Sequence, residues 1–194
     1  MTTLALAVPP ARAADRPLYR AAVVVAGSLL VAALAQIQFH LWFTPIPVTG
    51  QTLGVLLVGA ALGPELGAAS LLLYLAEGAV GLPFFAAGRH GWSLLTFSSV
   101  SAGYLWGFVI VAAVVGALAR RGWDRSLRSS ISAMLIGEVV LYAIGVPWLA
   151  AAAHVGVQKA LVLGLYPFVL GDTLKLLAAA VLLPAAWRLT GNHG

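Results

Sequence analysis

Residues 51–80 read QTLGVLLVGAALGPELGAASLLLYLAEGAV, an apolar pattern interrupted once, at Gly63-Pro64-Glu65. A glycine just past one helix end, a proline inside the next start and an acid in its first turn mark a stop followed by a restart. The stretch predicts two helices, residues 51–62 and 65–80, joined as a tight hairpin. At about 1.5 Å of rise per residue, each is shorter than the roughly 30 Å hydrocarbon layer of a bilayer. Short spans beside long apolar loops point to a cavity, because irregular backbone at membrane depth survives only where protein buries it or where it lines such a space.

The chain on either side extends this pattern. Of 194 residues, 61% are hydrophobic and 9% charged, with a mean hydropathy of +0.99, too apolar for a water-soluble domain. At about 20 residues per crossing, the length holds one domain of about five to seven spans. Further spans are predicted at residues 18–37, 100–120, 127–144 and 168–187. The first of these follows Arg12, Arg16 and Arg20 and ends in Ala33-Leu34-Ala35, a layout shared with signal peptides, but it reads equally well as a first span. Residues 38–50 carry Pro45 and Pro47 and cannot continue a helix. Residues 81–99 read as the cavity-lining loop, and residues 155–167 as a short apolar segment interrupted by Gly156, Gly164 and Pro167. Gly103 with Gly107, and Ala112 with Gly116, have the spacing that lets helices approach closely. The expected fold is all-α: a polytopic membrane protein with six transmembrane helices in one domain over residues 18–190, after an N-terminal segment, residues 1–17.

With the N-terminus in the cytoplasm, eight of the 11 Lys and Arg fall on the cytoplasmic side: Arg12, Arg16, Arg20, Arg120, Arg121, Arg125, Arg128 and Arg188. That is the asymmetry the positive-inside rule requires, and it puts both termini inside the cell. Arg89, Lys159 and Lys175 are left in or near the outward half. The net charge of +5 comes without a Lys-rich run, which argues against a nucleic-acid partner. Absence of cysteine removes disulfides, thiolate nucleophiles and Cys-bound zinc. No GxxxxGK[ST], HExxH or GxSxG occurs, so the chain by itself neither cradles ATP nor carries those catalytic sites.

An ionisable residue inside a membrane needs a partner or a purpose. Asp172 and Lys175, at i and i+3, share one helix face near the outer surface. The pair suits either a ligand site or a self-neutralising structural ion pair. Arg89, between Gly88 and His90, suits a site or a solvated loop. Glu77 is predicted late in its helix on the same outward side. Glu138, mid-helix, suits a protonated acid bonded between helices or an ion pair with an inner-loop arginine.

The segments PVTGQTL (residues 47–53), YLAEGAVGLPFF (74–85), GYLWGF (103–108), VPWLA (146–150) and GDTLK (171–175) resemble the BioY family, in family order and over most of the chain from Arg20 to Arg188. The resemblance implies the fold and role of a biotin-binding S component of energy-coupling factor (ECF) transporters, in the cytoplasmic membrane. It implies high-affinity capture of biotin from outside and import, with no catalytic activity and no cofactor. It further implies that Asp172, Lys175 and Arg89 contact the ligand, with Glu77 a further polar position. Phe84, Phe85, Trp92 and Tyr104 are candidates to enclose its rings, as apolar ligand sites require. Implied partners are a membrane T component and two ABC ATPases, with Ala22 and Ala26 of the first helix as expected contacts. Two departures concern the loop: Ser99-Val100-Ser101-Ala102-Gly103 replaces a more glycine-rich run, and His90 adjoins Arg89. Competing readings are an S component for another vitamin, a proton-coupled secondary transporter using Glu77 and Glu138, and an intramembrane enzyme using Asp172 or Glu138.

Overall fold

A computed structural model describes Thr3, Leu4 and residues 16–189 of the chain. Most of the expected N-terminal segment, with Arg12, lies outside these residues. The helices are α1 (Pro17–Ala35), α2 (Gln51–Ala79), α3 (Ala102–Arg120), α4 (Leu127–Ala152), α5 (Val157–Gly164) and α6 (Val169–Leu189). All but α5 are long and apolar enough to cross a membrane.

The break in α2 falls at Gly63, whose φ of 83° and ψ of 177° are open to glycine and not to other residues. A straight helix would hold Gln51 and Tyr74 about 34 Å apart. Instead Gln51 Nε2 donates to the Tyr74 hydroxyl at 2.7 Å, so residues 64–79 run back along residues 51–62. The hairpin read from the sequence is present, and its two arms with α1, α3, α4 and α6 make six rods.

Lipid offers no hydrophobic force to press helices together, so association rests on close packing. A Cβ on Gly116 of α3 would stand 2.5 Å from the backbone of Gly63 and Pro64, and one on Gly59 would stand 2.8 Å from Cα of Ala112. Gly103 and Gly107 face α4 instead, under Trp148 and Leu141 respectively. Both small-residue pairs of α3 are thus used, one against the hairpin and one against α4. At the hairpin end, Arg120 pairs with Glu65 in the open.

Two elements differ from expectation. The helix predicted over residues 127–144 continues as α4 through Gly145 and Pro147 to Ala152. Proline costs a backbone bond there, but packing holds the extra turns: Tyr104 lies against Gly145, Trp148 Nε1 donates to Ser99 O at 3.1 Å, and Leu149 is fully buried. Residues 38–50 form a small antiparallel ladder, β1 (Gln38–Phe39) on β2 (Val48–Thr49), which satisfies backbone that the two prolines keep out of a helix. Short 3-10 turns at Ala86–Gly88 and Trp92–Leu95 shape the long loop before α3.

In the turn between α3 and α4, buried Asp124 accepts from Trp187 Nε1 at 2.6 Å. Burial pushes this carboxyl above the usual carboxylate range. The folded chain then binds the proton more tightly than the unfolded chain, so stability is complete below the usual value and declines as pH rises through the raised one. Asp124→Asn is expected to remove that decline from the melting temperature measured against pH. Gly116→Val is expected to cost roughly 1–3 kcal/mol by overpacking against backbone, seen as a lower melting temperature of the purified protein.

Candidate functional site

α4 and α6 run antiparallel, and the start of α6 meets the start of α2 at the end of the bundle away from the hairpin turn. There Asp172, 5% exposed, sits in a knot of side chains from three helices. Lys175 Nζ donates to its Oδ1 at 2.7 Å, and Thr52 Oγ1 of α2 donates to the same oxygen at 3.0 Å. Lys175 also donates to Thr52 Oγ1 at 3.1 Å. The Tyr142 hydroxyl of α4 donates to Oδ2. Charge-assisted bonds of this kind offset the cost of bringing an acid and an amine into an apolar bundle. Three of the roughly four lone-pair positions of the carboxylate are occupied, which leaves one for an outside donor.

The knot forms part of the wall of a cavity that opens at one end of the bundle. The remaining wall is largely apolar: Leu94, Tyr104, Leu105, Phe108, Leu141 and Phe168 among others. Phe85 packs the far end of its ring onto Gly78 and lies edge-on to Tyr74, with ring centroids 5.5 Å apart. Tyr104 presents its ring, since its hydroxyl donates to Gly164 O at 2.7 Å and so fastens α5 to α3. The exposed Arg89 lines the wall from a tight turn in the long loop. That turn is held by Arg89 N to Ala86 O, Phe85 N to Arg89 O, and Gly88 N to Gln36 Oε1 at 3.1 Å. No ion pair to Arg89 is formed among the described residues.

Of the positions singled out from the sequence, Asp172, Lys175, Arg89, Phe85 and Tyr104 come together around the cavity. Glu77, Phe84 and Trp92 lie outside its wall. Glu77 faces α1 and accepts from Ser28, Phe84 packs on the core and offers its carbonyl to Tyr74, and Trp92 is 63% exposed. Ala22 and Ala26 are exposed on α1 among the described residues. Sequence reasoning missed Thr52, Tyr142, Gln51 and Gln36. Thr52 and Gln51 stand inside the PVTGQTL segment, where polar side chains opening an apolar helix are a usable signal. Tyr142 gave none, since tyrosine is an ordinary residue in a membrane helix.

A multi-pass helical bundle with a largely apolar cavity, whose wall carries a buried acid–amine pair and a cation on the loop, defines a small membrane protein built around an internal cavity. The BioY family model matches residues 8–192, and the chain belongs to the BioY family. It is 39% identical to the biotin transporter BioY of Rhizobium etli, over 84% of this chain and 86% of that one. It is 37% identical to the probable biotin transporter BioY of Pyrococcus horikoshii, over 80% and 87%. The fold matches the crystal structure of the S-component for biotin from an ECF-type ABC transporter with a TM-score of 0.78, covering 91% of this chain and 93% of that one at 22% identity.

Tyr142→Phe deletes one donor to the buried carboxylate and is expected to lower stability by roughly 1–3 kcal/mol. An unchanged melting temperature would mean that the hydroxyl does not hold Asp172 in solution.

Proposed function

We propose that this chain captures biotin at the cavity described above and is the substrate-specific S component of an ECF-type importer. The observation that carries the reading is the pairing of a polar wall and a separate cation in one apolar cavity. Biotin has a matching layout: a ureido group with two N–H donors and a carbonyl, an apolar bicycle and chain, and a carboxylate. The open acceptor position of Asp172 takes a ureido N–H, and Lys175, with an ammonium hydrogen to spare, donates to the ureido carbonyl. Phe85, Tyr104, Phe108 and Phe168 enclose the rings. Arg89, free of an acidic partner in the described residues, takes the carboxylate, and its loop covers the ligand. Glu77, Phe84 and Trp92 receive no ligand contact in this reading.

Sidedness follows from the Lys and Arg distribution, with the cavity toward the outside and both termini in the cytoplasm. Energy comes from partners, a T component and two ATPases, and the exposed Ala22 and Ala26 surface of α1 is offered to the T component. Reorientation of the whole chain in the membrane then turns the loaded cavity inward.

Titration calorimetry of the purified protein against biotin and a panel of other vitamins tests the ligand. Binding of another vitamin in place of biotin would overturn the assignment. Arg89→Ala is expected to weaken biotin about tenfold or more, the worth of one charge-assisted bond, while leaving the uncharged amide of biotin unaffected. Equal losses for both would move the carboxylate elsewhere. Uptake in cells is expected to survive a protonophore and to fail on deletion of the ATPases; the reverse pattern would favour proton-coupled transport.

A further inference from the structure

Glu138 is 6% exposed, and neither carboxyl oxygen has a hydrogen-bond partner among the described residues. It precedes Tyr142 by four residues and so shares its face of α4, one turn farther from the cavity mouth. Across from that face, α6 descends in the opposite direction, from Asp172, the partner of Tyr142, to Lys175. Glu138 therefore stands at the level of Lys175, within electrostatic reach of both Lys175 and Asp172, and it is not part of the cavity wall.

The charge count is decisive here. Asp172 and Lys175 cancel, so a second ionised carboxylate would leave the knot with an unbalanced negative charge in an apolar bundle, which is costly. We propose that Glu138 is a positioning residue for the ligand site: as a neutral acid it leaves the Lys175 ammonium to Asp172, and on ionising it draws the ammonium away and loosens the pair. This rests on the biotin reading, in which the ureido group bonds to the Asp172–Lys175 pair that neutral Glu138 leaves intact. Ligand binding then favours the proton on Glu138. Affinity is complete at low pH and falls as pH rises through the titration of Glu138, by at most tenfold per pH unit for one linked proton.

Other groups could also make affinity depend on pH. From α6 these are Asp172 and Lys175, from α4 Tyr142, and from α3 Tyr104, which interacts with Tyr142. Outside the knot, Arg89 and His90 on the loop and Lys159 on α5 are exposed. All of them remain in Glu138→Gln, the neutral isostere.

The test is titration calorimetry with biotin between about pH 5 and about pH 9, in buffers of different ionisation enthalpy, which counts protons taken up per ligand bound. The wild-type chain is expected to take up protons and lose affinity toward high pH. Glu138→Gln is expected to keep the low-pH affinity and to lose that share of the uptake. Without any ligand, the infrared difference between wild type and Glu138→Gln at neutral pH is expected to show the carbonyl band of a protonated carboxylic acid, Asp124 contributing equally to both proteins. An identical proton count in the two proteins, or no infrared difference, overturns the proposal while leaving biotin capture intact. Failure of the wild type to bind biotin overturns the functional reading, whatever the infrared result. If the variant does not fold, a flat pH profile of wild-type affinity is enough to sink the proposal.

Discussion

The buried carboxylate of Asp172 is the constraint around which the rest of the cavity end is arranged. In an apolar bundle it needs a counter-charge and several donors at once. Lys175 supplies the charge from one turn along the same helix, Thr52 supplies a donor from α2, and Tyr142 another from α4. Satisfying one acid thus joins three helices that face the cavity, while α3 adds Tyr104, Leu105 and Phe108 to its wall. Binding geometry and tertiary structure share the same bonds.

The hairpin of α2 makes room for that arrangement. Its two arms turn back at Gly63 while α3 presses Gly116 against the turn. Close backbone contact at that end replaces the side-chain packing that water would otherwise drive. At the other end the arms stop short, and the space is filled by the β1–β2 ladder and the loop that carries Phe85 and Arg89. Irregular backbone there is bonded to Gln36 and Tyr74 side chains, which is how it can exist beside a membrane.

Much of this was legible in the residues. Gly63-Pro64-Glu65 marked the turn, the glycine and alanine spacings of residues 103–116 marked close helix contacts, and GDTLK marked the acid–amine pair. Such signals are local, since each depends on conformational preference or on spacing along one helix. Other features were not legible. Pro147 signalled a helix end, but Tyr104 and Trp148 packing carried α4 past it. Glu77 looked like a site residue by proximity in sequence, yet its helix turns it toward Ser28.

By itself, then, the sequence determined a membrane bundle with a broken second helix, an acid and an amine on one helix face, and membership in a recognisable family. Those follow from hydropathy, backbone preference and helical period, all of which act between near neighbours. Only the tertiary structure decided that Thr52 and Tyr142 complete the bonding of Asp172, that Arg89 shares its cavity, and that Glu138 lies level with Lys175 without a bond. These placements depend on how the helices rotate about their own axes when packed, and that rotation is set by contacts between residues distant in the chain.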